Sequence, residues 1–262
     1  MDLGLQGKVA IVTGGSQGIG RAAAQSLGRE GASVVVCARR EDVLRKAAED
    51  VAESTGAEIL PVSADVTRSS DVERLVNTTV DRFGRLDILV NNAGTSAASA
   101  FESVTDEAWR DDLDLKLFAA IRTIRAAVPH LRKAGGGSIV NILNIGAKQP
   151  GAGSMPTSVS RAAGMALMKA LSKELAADNV RVNSINIGFV KSGQNERRWR
   201  SLGSPGTLED FYAESVKRLG IPLGRAGEPD EVGDLIAFLC SSRGTYISGL
   251  SIIVDGGTST VV

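Results

Sequence analysis

The segment Thr13-Gly14-Gly15-Ser16-Gln17-Gly18-Ile19-Gly20 constrains this chain more than any other. It follows the apolar run Val9-Ala10-Ile11-Val12 and opens a helical pattern over residues 18–30. A short apolar run that ends in a glycine turn reads as a buried strand. Glycines at such a junction permit a tight turn, close approach of a pyrophosphate, and packing of the helix against the sheet. The helix N-terminus then offers free N–H groups to the phosphates. A glycine-rich turn can also occur without a ligand. Its place at the first strand–helix junction is what favours the dinucleotide reading.

Strand and helix patterns alternate through the rest of the chain. Strands are expected at Ser33–Cys37, near Ile59–Val62, at Leu86–Val90, Ser138–Ile142, Val180–Ile185 and Leu250–Val254. Helices are expected at about Asp42–Ser54, Ser70–Phe83, Asp106–Lys133, Pro156–Ala177 and Glu228–Ser241. Apolar strands joined by helices imply a parallel sheet with right-handed crossovers and both faces covered. No linker or composition break divides residues 1–262, so the expectation is one doubly wound, Rossmann-type α/β domain of about seven strands. The loop-rich stretch 188–227, with its Gly, Ser and Pro residues, reads as a mobile substrate lid.

Composition removes several function classes. Lys plus Arg equals Asp plus Glu at 30 each, so no global field favours nucleic acid or an anionic membrane. The single histidine, His130, makes a histidine-based zinc site or triad hard to build, and it reads as a residue that ends or packs a helix. Cys37 and Cys240 lie far apart in apolar segments and read as buried thiols in a reducing cytosol. Neither a signal-peptide pattern nor an 18-residue apolar stretch is present, so a soluble cytoplasmic protein is expected. After the second strand stands Ala38-Arg39-Arg40. An acidic residue there would hold the ribose 2′-hydroxyl of NAD; Arg39 instead suits a 2′-phosphate and favours NADP(H) over NAD(H). Two solvated arginines at a helix start are the plainer alternative.

With Asp65-Val66 after the third strand, Asn91-Asn92-Ala93-Gly94 after the fourth, Gly188 after the sixth and Val254-Asp255-Gly256-Gly257 at the end, the chain resembles the short-chain dehydrogenases/reductases from about Leu5 to Gly257. The resemblance implies that Gly14, Ser16, Gln17, Gly18, Ile19 and Gly20 hold the pyrophosphate and that Asp65 and Val66 flank the adenine. It further implies that Asn92, Ala93 and Gly94 contact the ribose, and that Ile187 to Ser192, Gly188 and Val190 among them, approach the nicotinamide. Ile187 stands where the family usually has proline. Family members commonly form homodimers or homotetramers through two long helices and the last strand, and act on small-molecule substrates.

The family usually moves its proton with a tyrosine, a lysine four residues later, a serine and an asparagine. These positions hold Thr157, Arg161, Asn144 and Lys116 here. A hydride moved without a proton leaves an alkoxide, so this set matters to any redox reading. Threonine is far less acidic than a phenol of pKa about 10, and arginine essentially never releases its proton, although its fork could hold ribose hydroxyls. Thr157 and Arg161 share one helix face. A cation beside Lys116 would lower the lysine pKa and make it a general base or amine nucleophile, with Asn144 and Thr157 donating to a substrate oxygen. Alternatively, Lys116 pairs with Asp111, Asp112 or Asp114.

Among lesser candidates, Tyr212 could replace the missing phenol, though Phe211-Tyr212 more often packs a lid. Tyr246 reads as structural, Lys148 and Lys191 as solvated, and Glu196–Arg200 as either an anion-binding run or a solvated helix face. Three readings remain open: an NADP(H)-dependent oxidoreductase with an altered proton-transfer set; a lyase, isomerase or hydratase on the same fold; and a non-catalytic dinucleotide binder.

Overall fold

The computed structural model describes residues 1–261. Its seven strands are β1 (Val9–Thr13), β2 (Ser33–Ala38), β3 (Ile59–Ser63), β4 (Ile88–Asn91), β5 (Gly137–Asn144), β6 (Val180–Ile187) and β7 (Ser251–Val254). They form one sheet in the order β3-β2-β1-β4-β5-β6-β7, with every pairing parallel. Helices α1 (Gly18–Arg29), α2 (Glu41–Thr55) and α3 (Ser69–Phe83) follow the first three strands; α4 (Asp106–Leu113) and α5 (Ala119–Lys133) follow β4. Then come α6 (Thr157–Glu174), α7 (Gly193–Ser201), α8 (Leu208–Leu219) and α9 (Pro229–Cys240).

Alternate strand residues feed two cores, as the two-residue period of a strand requires. Ala10, Val12, Ile88, Val90, Val140 and Ile185 pack with α1, α2 and α9 on one face. Ile11, Val35, Leu89, Ile139 and Val182 pack with α3, α5 and α6 on the other. This is the doubly wound, Rossmann-type sandwich expected from the alternation. Strand order reverses beside β1, so a crevice opens at the carboxyl ends of β1 and β4, where ligands bind in such sheets.

Four expectations need correction. The strand expected from Leu86 begins at Ile88. The helix expected over 106–133 is interrupted by a π-turn, Asp114–Phe118, which separates α4 from α5. An apolar stripe survives one inserted residue, so periodicity alone does not reveal it. The helix expected to reach Ala177 ends at Glu174 and passes into a tighter turn, Ala176–Asp178. The loop-rich stretch 188–227 contains α7 and α8. Thr207 and Asp210 cap α8 reciprocally, while Phe211, Tyr212 and Val216 pack with Ile221 and Ala226 in a small third core. Cys37 and Cys240 are buried free thiols, and His130 lies in the last turn of α5. Among the described residues no helix is long and apolar enough to cross a membrane.

Candidate functional site

The β1–β4 crevice is pinned from both sides by side chains. Thr13 Oγ1 accepts from the backbone N–H groups of Asn92 (2.9 Å) and Ala93 (3.0 Å). Asn92 Nδ2 donates to the carbonyls of Thr13 (3.0 Å) and Gly14 (3.2 Å). The glycine turn is crowded by this arrangement. A Cβ on Gly20 would lie 2.2 Å from the Gly14 carbonyl oxygen and 2.5 Å from Asn92 Nδ2. Gly20→Ala is therefore expected to lower stability by about 1–3 kcal/mol, the usual cost of overpacking. A thermal midpoint equal to the parent's would show that the turn tolerates a side chain.

Gln17 caps α1 with no side-chain hydrogen bond, and the first turn carries no acidic residue. Ser16 and Gln17 sit on the open side of that turn, whereas Ile19 is anchored in the core. The N-terminal N–H groups of α1 are thus free to meet an anion. Arg39, at the end of β2, is exposed and makes no ion pair among the described residues. Asp65 Oδ1 accepts from the backbone N–H and hydroxyl of Thr67, and Val66 beside it is buried.

Of the four residues at the family's proton-handling positions, Lys116 of the π-turn touches Thr157 of α6, the Arg161 charge reaches Lys116, and Asn144 ends β5. Lys116 sits in that π-turn, 3% exposed, and is ion-paired with buried Asp112 of α4. Its Nζ also donates to Thr157 Oγ1 (3.0 Å), which accepts a second bond from the Ala97 N–H (3.0 Å). Asp112 Oδ2 in turn accepts from Ser160 Oγ (2.6 Å). Burial pulls the Lys116 ammonium below the usual lysine range; the Asp112 hydrogen bond opposes this, and the Arg161 charge adds to it. Of the two readings of Lys116 drawn from the sequence, the ion pair with a neighbouring aspartate is present, with Asp112 as the partner, and the ammonium pKa is lowered beside it.

Arg161 Nη1 donates to the Ile142 carbonyl (2.9 Å), and its Nη2 lies 2.7 Å from where a Cβ on Gly94 would sit. Its Nε is buried without a partner. Burial pushes the guanidinium down to about 10, which leaves it charged at neutral pH. Asn144 ends β5, with Oδ1 buried and unpartnered.

Loops close over this cluster. Ser99 and Met155 pair their backbones, holding the segment after β4 against the residues that lead into α6. Gln194 of α7 accepts from the Ser96 N–H (3.0 Å) and donates to the Gly94 carbonyl (3.4 Å). Gly188, at the end of β6, packs against Asp255, and buried Val190 bridges to Gly227.

Among the lesser candidates, Tyr212 is buried against Phe189 and Phe211, and its hydroxyl accepts from the Ser192 N–H (3.4 Å). That is packing. Tyr246, expected to be structural, is fully exposed. Neither lysine read as solvated is free: Lys148 donates to the Ser251 carbonyl (2.7 Å), and Lys191 pairs with Glu228 (2.8 Å). Glu196 and Arg200 pair along α7, whose arginines face solvent. Ser160 and Gln194 were not foreseen, and Asp112 was seen only as one of three alternative partners. Their signals are slight: Asp112 stands four residues before Lys116, and Ser160 immediately precedes Arg161. No metal-binding cluster of His, Cys, Asp or Glu occurs among the described residues.

A family model described as enoyl-(acyl carrier protein) reductase matches residues 14–259. The human dehydrogenase/reductase SDR family member 4 is 35% identical over 255 residues, covering 97% of this chain and 88% of its own length. The L-sorbose reductase of Gluconobacter frateurii, solved with NADPH and L-sorbose, superposes with a TM-score of 0.95 at 36% identity, covering 100% of both chains. An NADPH-bound short chain oxidoreductase of Pseudomonas aeruginosa, described as containing an atypical catalytic center, gives 0.91 at 37% identity over 97% of this chain and 98% of its own. With the sheet order, the β1–β4 crevice and these likenesses in agreement, the chain belongs to the short-chain dehydrogenase/reductase family.

Proposed function

We propose that this protein is an NADP(H)-dependent oxidoreductase for a carbonyl or alcohol substrate, in which Thr157 and Lys116 together handle the proton that a tyrosine handles elsewhere in the family. One observation carries the reading. Thr157 Oγ1 already accepts two hydrogen bonds, from Lys116 and from Ala97. A hydroxyl has two acceptor positions and one proton, so its own O–H is left to donate into the cleft.

The bound nicotinamide would supply or accept the hydride. During reduction, Thr157 gives its proton to the developing alkoxide and takes one from the Lys116 ammonium behind it; oxidation reverses both transfers. The depressed pKa of Lys116 makes it a better acid than an ordinary lysine. The Asn144 amide donates to the same substrate oxygen. Arg161, charged and with a free Nε, replaces the usual lysine as the holder of ribose hydroxyls but takes no part in proton release.

The cofactor residues fit this reading. Gly14, Ser16, Gln17, Gly18, Ile19 and Gly20 cradle the pyrophosphate, and Arg39 takes the 2′-phosphate. Asp65 and Val66 border the adenine; Asn92, Ala93 and Gly94 floor the ribose; Gly188 and Val190 border the nicotinamide. Residues 188–227 form the substrate lid, with Gln194 as its contact to the floor. NADPH in the two similar structures supports the choice of cofactor, and the atypical centre described for one of them supports an active site of unusual composition. Exposed Phe118 and Val159 near the long helices, with Leu250 beside β7, support assembly into a homodimer or homotetramer. Two buried thiols suit a reducing cytoplasm.

Thermal shift provides the first test. Saturating NADPH should raise the melting midpoint more than NADH at equal concentration, as expected for a ligand that binds the native state more tightly. NADPH binding with no hydride exchange across a panel of ketones, aldehydes and alcohols would overturn the redox reading in favour of a dinucleotide binder. Turnover indifferent to the cofactor's redox state would point to a lyase, isomerase or hydratase.

A further inference from the structure

We infer that Asp112, oriented by Ser160, is a positioning residue that keeps Lys116 charged and aimed at Thr157. This inference rests on the Lys116–Thr157 proton path proposed above. Asp112 occupies the first full turn before Lys116 and is buried with it. One carboxylate oxygen, Oδ1, receives the lysine, and the other, Oδ2, receives the Ser160 hydroxyl at 2.6 Å. Ser160, 0% exposed, lies one helical turn after Thr157 on α6. The carboxylate thus ties α4 to α6 across the cleft and determines where the lysine head can lie.

The charge arrangement gives Asp112 its importance. Two charged groups face Lys116: Asp112 from α4 and Arg161 from α6. In the small cavity beside them the strands present Thr13, Asn91 and Asn141, and α5 presents Thr123, all neutral. Asn91 and Asn141 pair in register on neighbouring strands, and the Nδ2 of each lacks an acceptor. Among the described residues, nothing on the sheet side offers the lysine a second negative charge. Without Asp112 an ammonium would stand buried beside a guanidinium, a cost relieved by losing its proton. A neutral amine can accept from Thr157 but cannot supply the proton that reduction consumes.

The same arrangement returns Lys116 to its starting state. After the ammonium has given a proton to Thr157, the remaining pair is a neutral amine beside a carboxylate. Re-protonation from solvent restores the ion pair, and the Asp112 charge favours that step. No oxidant, reductant or third reactant is involved, and the carboxylate leaves the cycle unchanged.

The test uses Asp112→Asn, Asp112→Glu and Ser160→Ala in the full chain, with Lys116→Met as the reference. Lys116 is followed by NMR titration of its ε-carbon in protein carrying ¹³C-lysine, with and without NADPH. Reductase kcat/KM is measured against pH wherever turnover is present. In Asp112→Asn the lysine titration and the basic limb of the reductase profile should both move down by about one to three pH units. Asp112→Glu should recover most of that shift. Ser160→Ala should give a smaller displacement in the same direction. An unmoved titration in folded Asp112→Asn protein would overturn the inference. If Asp112→Asn does not fold, Ser160→Ala takes over as the deciding variant, and an unmoved Lys116 titration there overturns the inference equally. If Lys116→Met keeps full turnover, the proton path fails, but the titration still reports whether Asp112 governs the lysine.

Discussion

Replacing Lys116 by methionine should lower reductase turnover by about 10²- to 10⁴-fold, the range for losing a positioned proton donor. Methionine keeps the length of the apolar stem and removes the charge that touches Thr157 Oγ1. The hydroxyl could then still pass its proton to the substrate, but nothing behind it would replace that proton. The substitution also leaves Asp112 as a lone buried carboxylate, and breaking a buried pair costs about 3–5 kcal/mol. The double variant Lys116→Met with Asp112→Asn removes both charges and separates the two effects. It should regain thermal stability over Lys116→Met and regain no turnover. NADPH affinity should survive in both, since neither residue lies on the glycine turn or at Arg39. Full activity in Lys116→Met would end the proposed proton path.

A reversal of cofactor preference is expected from Arg39→Asp. Arg39 is exposed, makes no direct ion pair among the described residues although its charge reaches Asp65, and follows β2. A guanidinium meeting a phosphate makes charge-assisted, often bidentate hydrogen bonds, worth about 2–3 kcal/mol. Losing them should weaken NADPH by roughly 30- to 150-fold at about 1.4 kcal/mol per decade. Aspartate at the same place accepts from a free 2′-hydroxyl, so NADH should bind more tightly than it does to the parent. Dissociation constants for both nucleotides, measured by calorimetry at one salt concentration, decide the matter. Equal losses for the two would assign Arg39 to solvent and the 2′-phosphate to another residue.

The sheet was legible in the sequence because its central parallel strands are buried on both faces and must be short apolar runs. β1, β2 and β5 are such runs. The expected β4 began too early, at Leu86, because Leu86 is as buried as its neighbours. Asp87, between it and the strand, instead accepts from Arg85, Lys8 and the Val9 N–H. The glycine turn was legible because close backbone approach leaves a signature in residue type. Lys116, Asn144, Thr157 and Arg161 were found by position in the family motif; Lys116 touches Thr157 and feels the Arg161 charge, while Asn144 ends β5. Their partners were harder to see. Asp112–Lys116 is a common helical spacing, but its burial is a tertiary fact, and Ser160 becomes informative only once α4 and α6 are seen side by side. Within residues 188–227, α7 escaped for another reason: it is almost wholly polar, held by Gln194 and Asn195 hydrogen bonds and by Trp199 against the third core, so no apolar stripe marked it.

The π-turn at Asp114–Phe118 makes chain length itself part of the site. An α-helix turns about 100° per residue, so one residue more or fewer rotates everything beyond it by that angle. Upstream, the turn keeps Lys116 over Thr157; downstream, Thr123 reaches back to Asn91 Oδ1 at 2.7 Å. Both contacts can hold only while the extra residue is present. Deleting Leu117 would change no side chain named in the proton path, yet it would swing α5 out of phase with α4 and take Thr123 from the sheet. Drift in sequence at Leu117 or Phe118 is therefore tolerable where drift in length is not, and a single-codon deletion there should be more damaging than most substitutions at those two positions.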